Sequence, residues 1–205
     1  MNKGDRIEKE SFEIIEAGCD LSAYDERQKR VVMRLIHTTG DFEFANMTLF
    51  SVNAIDRAMD ALERRLPVIC DVNMVKTAIT AKYSEAVGIE RHCFITNENV
   101  IAEAAAQEKT RAEYSMEYAA RHFPDAIYAI GNAPTALLKI MELQKEGKIN
   151  PALVIGLPVG FVMAAESKAM LTESGMEYIT NVGTKGGSPC AGAVVNALIK
   201  IKAGI

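Results

Sequence analysis

The chain has 205 residues, of which 49% are apolar and 24% charged, and carries a net charge of −4 at pH 7. That length supports one good core, and the acidic balance excludes a general nucleic-acid binder, which needs a basic surface. No run of roughly 18 or more apolar residues is present and the first residues, Met-Asn-Lys-Gly-Asp-Arg, lack the apolar core of a signal peptide, so a cytoplasmic protein without a membrane span is expected.

The first predicted helix, about Arg6 to Ala17, carries Ile7, Ser11, Ile14 and Ile15 on one face. Ser11 is then a hydroxyl in an apolar phase. It either bonds back to the carbonyl four residues earlier, the usual fate of such a serine, or meets a ligand.

A second helix is announced by Asp25, with Gln28 three residues on as a capping-box partner, and by the stripe Val31, Val32, Leu35 and Ile36. Gly40 can take the left-handed conformation that ends it. His37, one of three histidines, falls in the last turn and off the centre of the stripe. Carbonyls and the macrodipole favour a cation there. His37 therefore reads either as a simple C-terminal cap or as a proton donor working near neutral pH. The aromatic segment Asp41 to Phe50 is too short for a helix and is expected to fold over a cavity or a partner surface.

Ile55, Met59, Leu62 and Leu66 give an amphipathic helix from Val52, started by Ser51 and stopped by Pro67. Short apolar strands then alternate with helices. The strands are Val68 to Cys70, His92 to Ile95, Ala126 to Ile130, Ala152 to Ile155 and Tyr178 to Thr180. The helices are Val72 to Ile79, Val100 to Ala106, Arg111 to Arg121, Pro134 to Glu146, Ala164 to Glu173 and Ala191 to Ile201. Strands apolar throughout and separated by helices predict a single α/β domain over residues 1–205, doubly wound, with a mostly parallel five-stranded sheet and helices on both faces.

Ligands of such sheets bind beyond the carboxyl ends of the strands. The segments there are Asp71 to Met74, Gly131 to Thr135, Gly156 to Val162 and Gly183 to Pro189. Their glycines either make tight turns or let backbone approach a broad ligand. In the last segment Ser188 is expected to cap the final helix, with Pro189 at its first position and Lys185 adding a positive charge suited to a carboxylate or phosphate. Neither a Walker motif nor a dinucleotide fingerprint is present. Thr110 and Glu113 have capping-box spacing, which makes Arg111 the first residue of its helix, where a cation opposes the dipole. Either solvent screens it, or Arg111 and the helix terminus jointly receive an anion. Cys19, Cys70, Cys93 and Cys190 have no CxxC spacing, no metal-ligand set emerges, and the cysteines read as reduced thiols.

Ile36-His37-Thr38-Thr39-Gly40-Asp41-Phe42 resembles the signature of the precorrin-8X methylmutases, including the cobalt-precorrin-8 methylmutases. Asp71 to Met74, Gly131 to Leu137, Gly160-Phe161-Val162, Ala164 to Lys168, Lys185 to Ser188 and Val195 to Leu198 resemble the family's motifs in order. The family often has Gly where this chain has Ala78, and a basic residue where it has Thr184. The resemblance implies an isomerase of cobalamin biosynthesis that moves a methyl group from C11 to C12 of (cobalt-)precorrin-8 without a cofactor. The substrate, a tetrapyrrole polycarboxylate, can itself carry cobalt, and the Ile-His-Thr-Thr form leans toward it. By the same resemblance His37 is the catalytic proton donor, Ser11, Thr80 and Arg111 contact substrate, and the protein is a homodimer. The rival from another class is a tetrapyrrole-binding protein that has lost turnover. An acyl hydrolase lacks its nucleophile elbow.

Overall fold

The computed structural model describes residues 3–205. Helix α1 (Lys3–Gly18) leads to α2 (Glu26–Thr39), which begins with the full Asp25–Gln28 capping box and ends at Gly40, whose φ of +66° is the left-handed cap. The aromatic segment, expected to be too short for a helix, forms a one-turn helix α3 (Phe44–Met47) and a strand β1 (Thr48–Phe50), and Ala45, Asn46, Thr48, Leu49 and Phe50 line a cleft of about 450 Å³ with Tyr24 and Gln28. Next come α4 (Ala54–Glu63), β2 (Val68–Cys70), α5 (Asn73–Ala78), α6 (Ala81–Ala86) and β3 (Arg91–Cys93). The chain continues through α7 (Glu98–Ala106), α8 (Arg111–Ala120), β4 (Ile127–Ile130) and α9 (Pro134–Lys145). It closes with β5 (Leu153–Gly156), α10 (Ala164–Glu173), β6 (Tyr178–Asn181) and α11 (Ser188–Ala203).

The α/β reading holds, but the sheet has six strands, in the order β1-β6-β5-β4-β2-β3. Five are parallel, and β1 pairs antiparallel with the outer edge of β6, Leu49 opposite Thr180. This added strand is the sixth that the sequence reading missed, and it covers an edge that would otherwise present unpaired backbone groups. It also displaces Ser51 from its expected role. The Ser51 hydroxyl donates to Glu177, Asn53 caps α4 by position without a side-chain bond, and Asn53 also donates to Glu177.

Alternate strand residues serve the two faces. Cys70, Ile127, Ala129, Leu153 and Ile155 pack under α2, α4, α5 and α11, whereas Ile69, Tyr128, Ile130 and Val154 pack under α8 and α9. α1 belongs weakly to the first layer. Of the face expected to be apolar only Ile15 is buried, while Ile7 and Ile14 are exposed.

Candidate functional site

Chain order reverses between β2 and β4, so the crevice between their carboxyl ends is where a doubly wound sheet ordinarily receives a ligand. Here Asp71 fills it. One carboxylate oxygen accepts the N–H groups of Val72 and Gly131 at 3.0 and 3.1 Å, and the other accepts those of Asn132 and Ala133 at 2.8 Å each. Burial pushes the Asp71 carboxyl up, against the pull of these four donors. The N-terminal end of α11 closes the crevice from above, since a Cβ on Gly131 would lie 2.7 Å from Ser188 Cα. The turns after β2 and β4 are thus spent on each other, and the clefts nearest His37 lie among the helices of the first layer.

That space is set by α2 and α11. α2 runs antiparallel to α11, Arg30 bonding Ile205 at one end and Thr38 lining a cleft with Pro189 at the other. The cleft, about 290 Å³, is also lined by Ala78, Thr80, Tyr83 and Asn196. Asn196 fixes the turn that carries Thr80: its amide donates to Ala78 O at 2.9 Å, and its carbonyl accepts the Thr80 N–H at 2.9 Å. Cations Arg34 and Lys200 stand at the same cleft with Glu8 between them.

His37 lies one residue from this cleft, on the exposed side of the last turn of α2. Three carbonyls leading into that end accept from other groups. Thr38 and Thr39 hydroxyls donate to Arg34 O and Leu35 O at 2.8 Å each, and the Gly40 N–H donates to Ile36 O. Among the described residues His37 has no hydrogen-bonding or ionic partner, and its ring contact is Phe12, at 5.3 Å between centroids. His37 therefore makes no hydrogen-bonded cap, and what remains of the capping reading is its place at the negative end of the helix dipole.

Ser11 follows the local rule: its hydroxyl donates to Ile7 O at 2.8 Å, which leaves its lone pairs as acceptors for a ligand. It neighbours Phe12 and so shares the α1 turn that meets His37. Arg111 is the first residue of α8, behind the complete Thr110–Glu113 capping box, and is exposed. Thr110 meets Thr135 at the start of α9, at 3.2 Å. Arg111 therefore belongs to the second helical layer and is not among the residues lining the Thr80 cleft.

The turn after β6 departs from expectation. Gly187 holds the cap position of α11, so Ser188 is the first helical residue and makes no cap. Nor is Lys185 a vacant anion receptor. It bridges Asp41 and Glu43, and these bonds raise its amine above the ordinary lysine range while holding Asp41 low. The bridge ties the turn to the segment just beyond His37. Beneath it, buried Lys168 donates to Lys185 O at 2.6 Å and Asn181 Oδ1 at 3.2 Å, and burial lowers its pKa to about 8. The sequence reading placed Asp71 among the residues facing a ligand, whereas its carboxylate is taken by four backbone N–H groups, and it gave Lys168 no part beyond a family motif. No three His, Cys, Asp or Glu side chains among the described residues are placed to share a metal ion.

Comparison with known proteins bears on the whole chain. The family model described as precorrin-8X methylmutase matches residues 6–201. The cobalt-precorrin-8 methylmutase of Priestia megaterium is 42% identical over 94% of this chain and 86% of its own length. That of Leptospira interrogans is 38% identical over 97% and 94%. A crystal structure of the precorrin-8X methylmutase from Thermus thermophilus superposes with a TM-score of 0.91 at 36% identity, covering 98% of this chain and 97% of that one. With the match running through the His37 turn, the Asp71 crevice and the Asn196-held turn alike, this chain belongs to the precorrin-8X methylmutase family.

Proposed function

We propose that this chain moves a methyl group from C11 to C12 of cobalt-precorrin-8, with His37 supplying the proton that promotes the shift. The C11–methyl bond breaks as the C12–methyl bond forms, so no external methyl donor and no cofactor enter. The cobalt form is preferred because the relatives in Priestia and Leptospira carry that substrate in their names. The observation that supports the role of His37 is an exposed imidazole with no hydrogen-bonding or ionic partner among the described residues, at a helix end where the Arg34, Leu35 and Ile36 carbonyls already accept from Thr38, Thr39 and Gly40. Thr80 and Ser11 stand on the same side of the fold as substrate contacts, and Arg111 serves a carboxylate reaching the second layer.

At about 290 Å³ the Thr80 cleft is at the small end of ligand pockets and holds one arm of a macrocycle rather than the ring. A second copy of the chain completes the site in this reading. Phe161 and Val162, 94% and 80% exposed on the turn after β5, support such an interface. The free cysteines suit the reducing cytoplasm, and no helix among the described residues is long and apolar enough to cross a membrane.

The test is to follow the absorption spectrum of cobalt-precorrin-8 and of its metal-free counterpart with catalytic amounts of protein. Conversion of the cobalt form with multiple turnovers is expected; an unchanged spectrum with both overturns the proposal. Light scattering checks the dimer, and a monomer at all concentrations rules it out.

A further inference from the structure

Two clefts share a wall. Besides the Thr80 cleft, a second of about 280 Å³ lies between α1, α2 and the far end of α11. Glu8, Arg34 and Lys200 line both. The Glu8 carboxylate, from α1, accepts from Arg34 of α2 and from Lys200 of α11, the latter at 3.1 Å. Burial raises the Glu8 carboxyl, and the two cations more than offset it, leaving it low. Each cation also rests on an aromatic ring, Arg34 at 4.7 Å from the Phe12 centroid and Lys200 Nζ at 5.2 Å from that of Tyr83.

Two cations share this one acid, and their side chains are largely sheltered, Arg34 17% and Lys200 18% exposed against 34% for Glu8. The helix that brings the acid is lightly anchored for its 16 residues, with Ile15 alone buried and Phe12 and Cys19 packed at the edge of the core. By contrast, two fixed cations on rigidly packed helices, approached from two clefts, suit a carboxylate delivered from outside. The same α1 turn lays Phe12 against His37.

We propose that Arg34 and Lys200 form a receptor for one carboxylate of the polycarboxylate substrate, occupied in the free protein by Glu8, so that α1 is a cover which the substrate displaces. The exchange trades one carboxylate for another on the same pair of cations. As α1 moves, Phe12 leaves the His37 ring, so substrate entry and exposure of the proton donor become one event. This rests on the methylmutase reading above and adds to it a receptor and a cover.

The test is a titration of cobyrinic acid, the reaction product, into wild type, Glu8→Gln, Lys200→Met and the double variant, with thermal melts as a check on folding. Glu8→Gln removes the competing charge and should bind product roughly three- to tenfold more tightly. Lys200→Met should bind roughly tenfold more weakly, and the gain from Glu8→Gln should vanish in the double variant. A purely structural ion pair predicts unchanged or weaker binding for Glu8→Gln, since loosening α1 brings no gain. Unchanged or weaker binding by Glu8→Gln, with normal turnover by wild type, overturns the receptor and leaves the methylmutase reading intact. Failure of wild type itself to convert cobalt-precorrin-8 overturns that reading, and the receptor falls with it.

Discussion

Lys168 donates from the interior to the main-chain oxygen of Lys185, while the Lys185 side chain reaches the surface and holds Asp41 and Glu43. One turn is thereby fixed from both sides, and its outer bond ends four residues beyond His37. Lys168 is a lysine whose charged form the fold disfavours, since burial brings its pKa from 10.5 to about 8. The unfolded chain then binds the more protons between those values, so the stability linked to this residue rises with pH across the window. Below it the folded state carries a penalty of at most roughly 3 kcal/mol. Urea unfolding of wild type and Lys168→Met at pH 7.5 and 10 should show wild type gaining on the variant at the higher pH. Parallel behaviour of the two proteins would contradict the account.

The spacing between α11 and α5 depends on a missing side chain. A Cβ on Gly192 would lie 2.5 Å from that of Ala78 and 3.0 Å from its carbonyl carbon. Gly192→Ala should cost roughly 1–3 kcal/mol by overpacking, and adding Ala78→Gly should recover part of that loss. Because the Ala78 turn leads to Thr80, the single variant should also weaken product binding. Equal stabilities of wild type and Gly192→Ala in chemical denaturation would show that the helices separate freely.

Arg111 opposes the dipole of its own helix. If it receives a substrate carboxylate, Arg111→Ala should weaken product binding by roughly 1.5–3 kcal/mol, while stability holds or rises by a few tenths. Calorimetry showing unchanged affinity would remove Arg111 from the site.

What could be read from the sequence was local. The boxes at Asp25 and Thr110 and the left-handed stop at Gly40 involve residues within four positions of one another, and each appears as expected. The strand β1 could not be read, because three residues become a strand only by pairing with β6 far along the chain. Asp71 shows the same limit. Its four N–H partners include three from the turn after β4, and they adjoin it only because β4 lies beside β2. Strand order is invisible to periodicity. Lys185 looked like a free cation since nothing in the sequence places Asp41 and Glu43 against it. The Glu8, Arg34 and Lys200 cluster likewise joins three helices that meet only in the folded chain.

The role of His37 separates an enzyme from a protein that merely binds tetrapyrroles. An interaction made chiefly in the transition state should disappear from the rate and not from product affinity. The decisive measurement is therefore single-turnover conversion of cobalt-precorrin-8 by wild type and His37→Ala, paired with titration of cobyrinic acid into both. The account predicts a rate lower by roughly 10²–10⁴-fold with product binding little changed. A variant that converts substrate within a few-fold of wild type, or one that is slow because it no longer binds product, would contradict it.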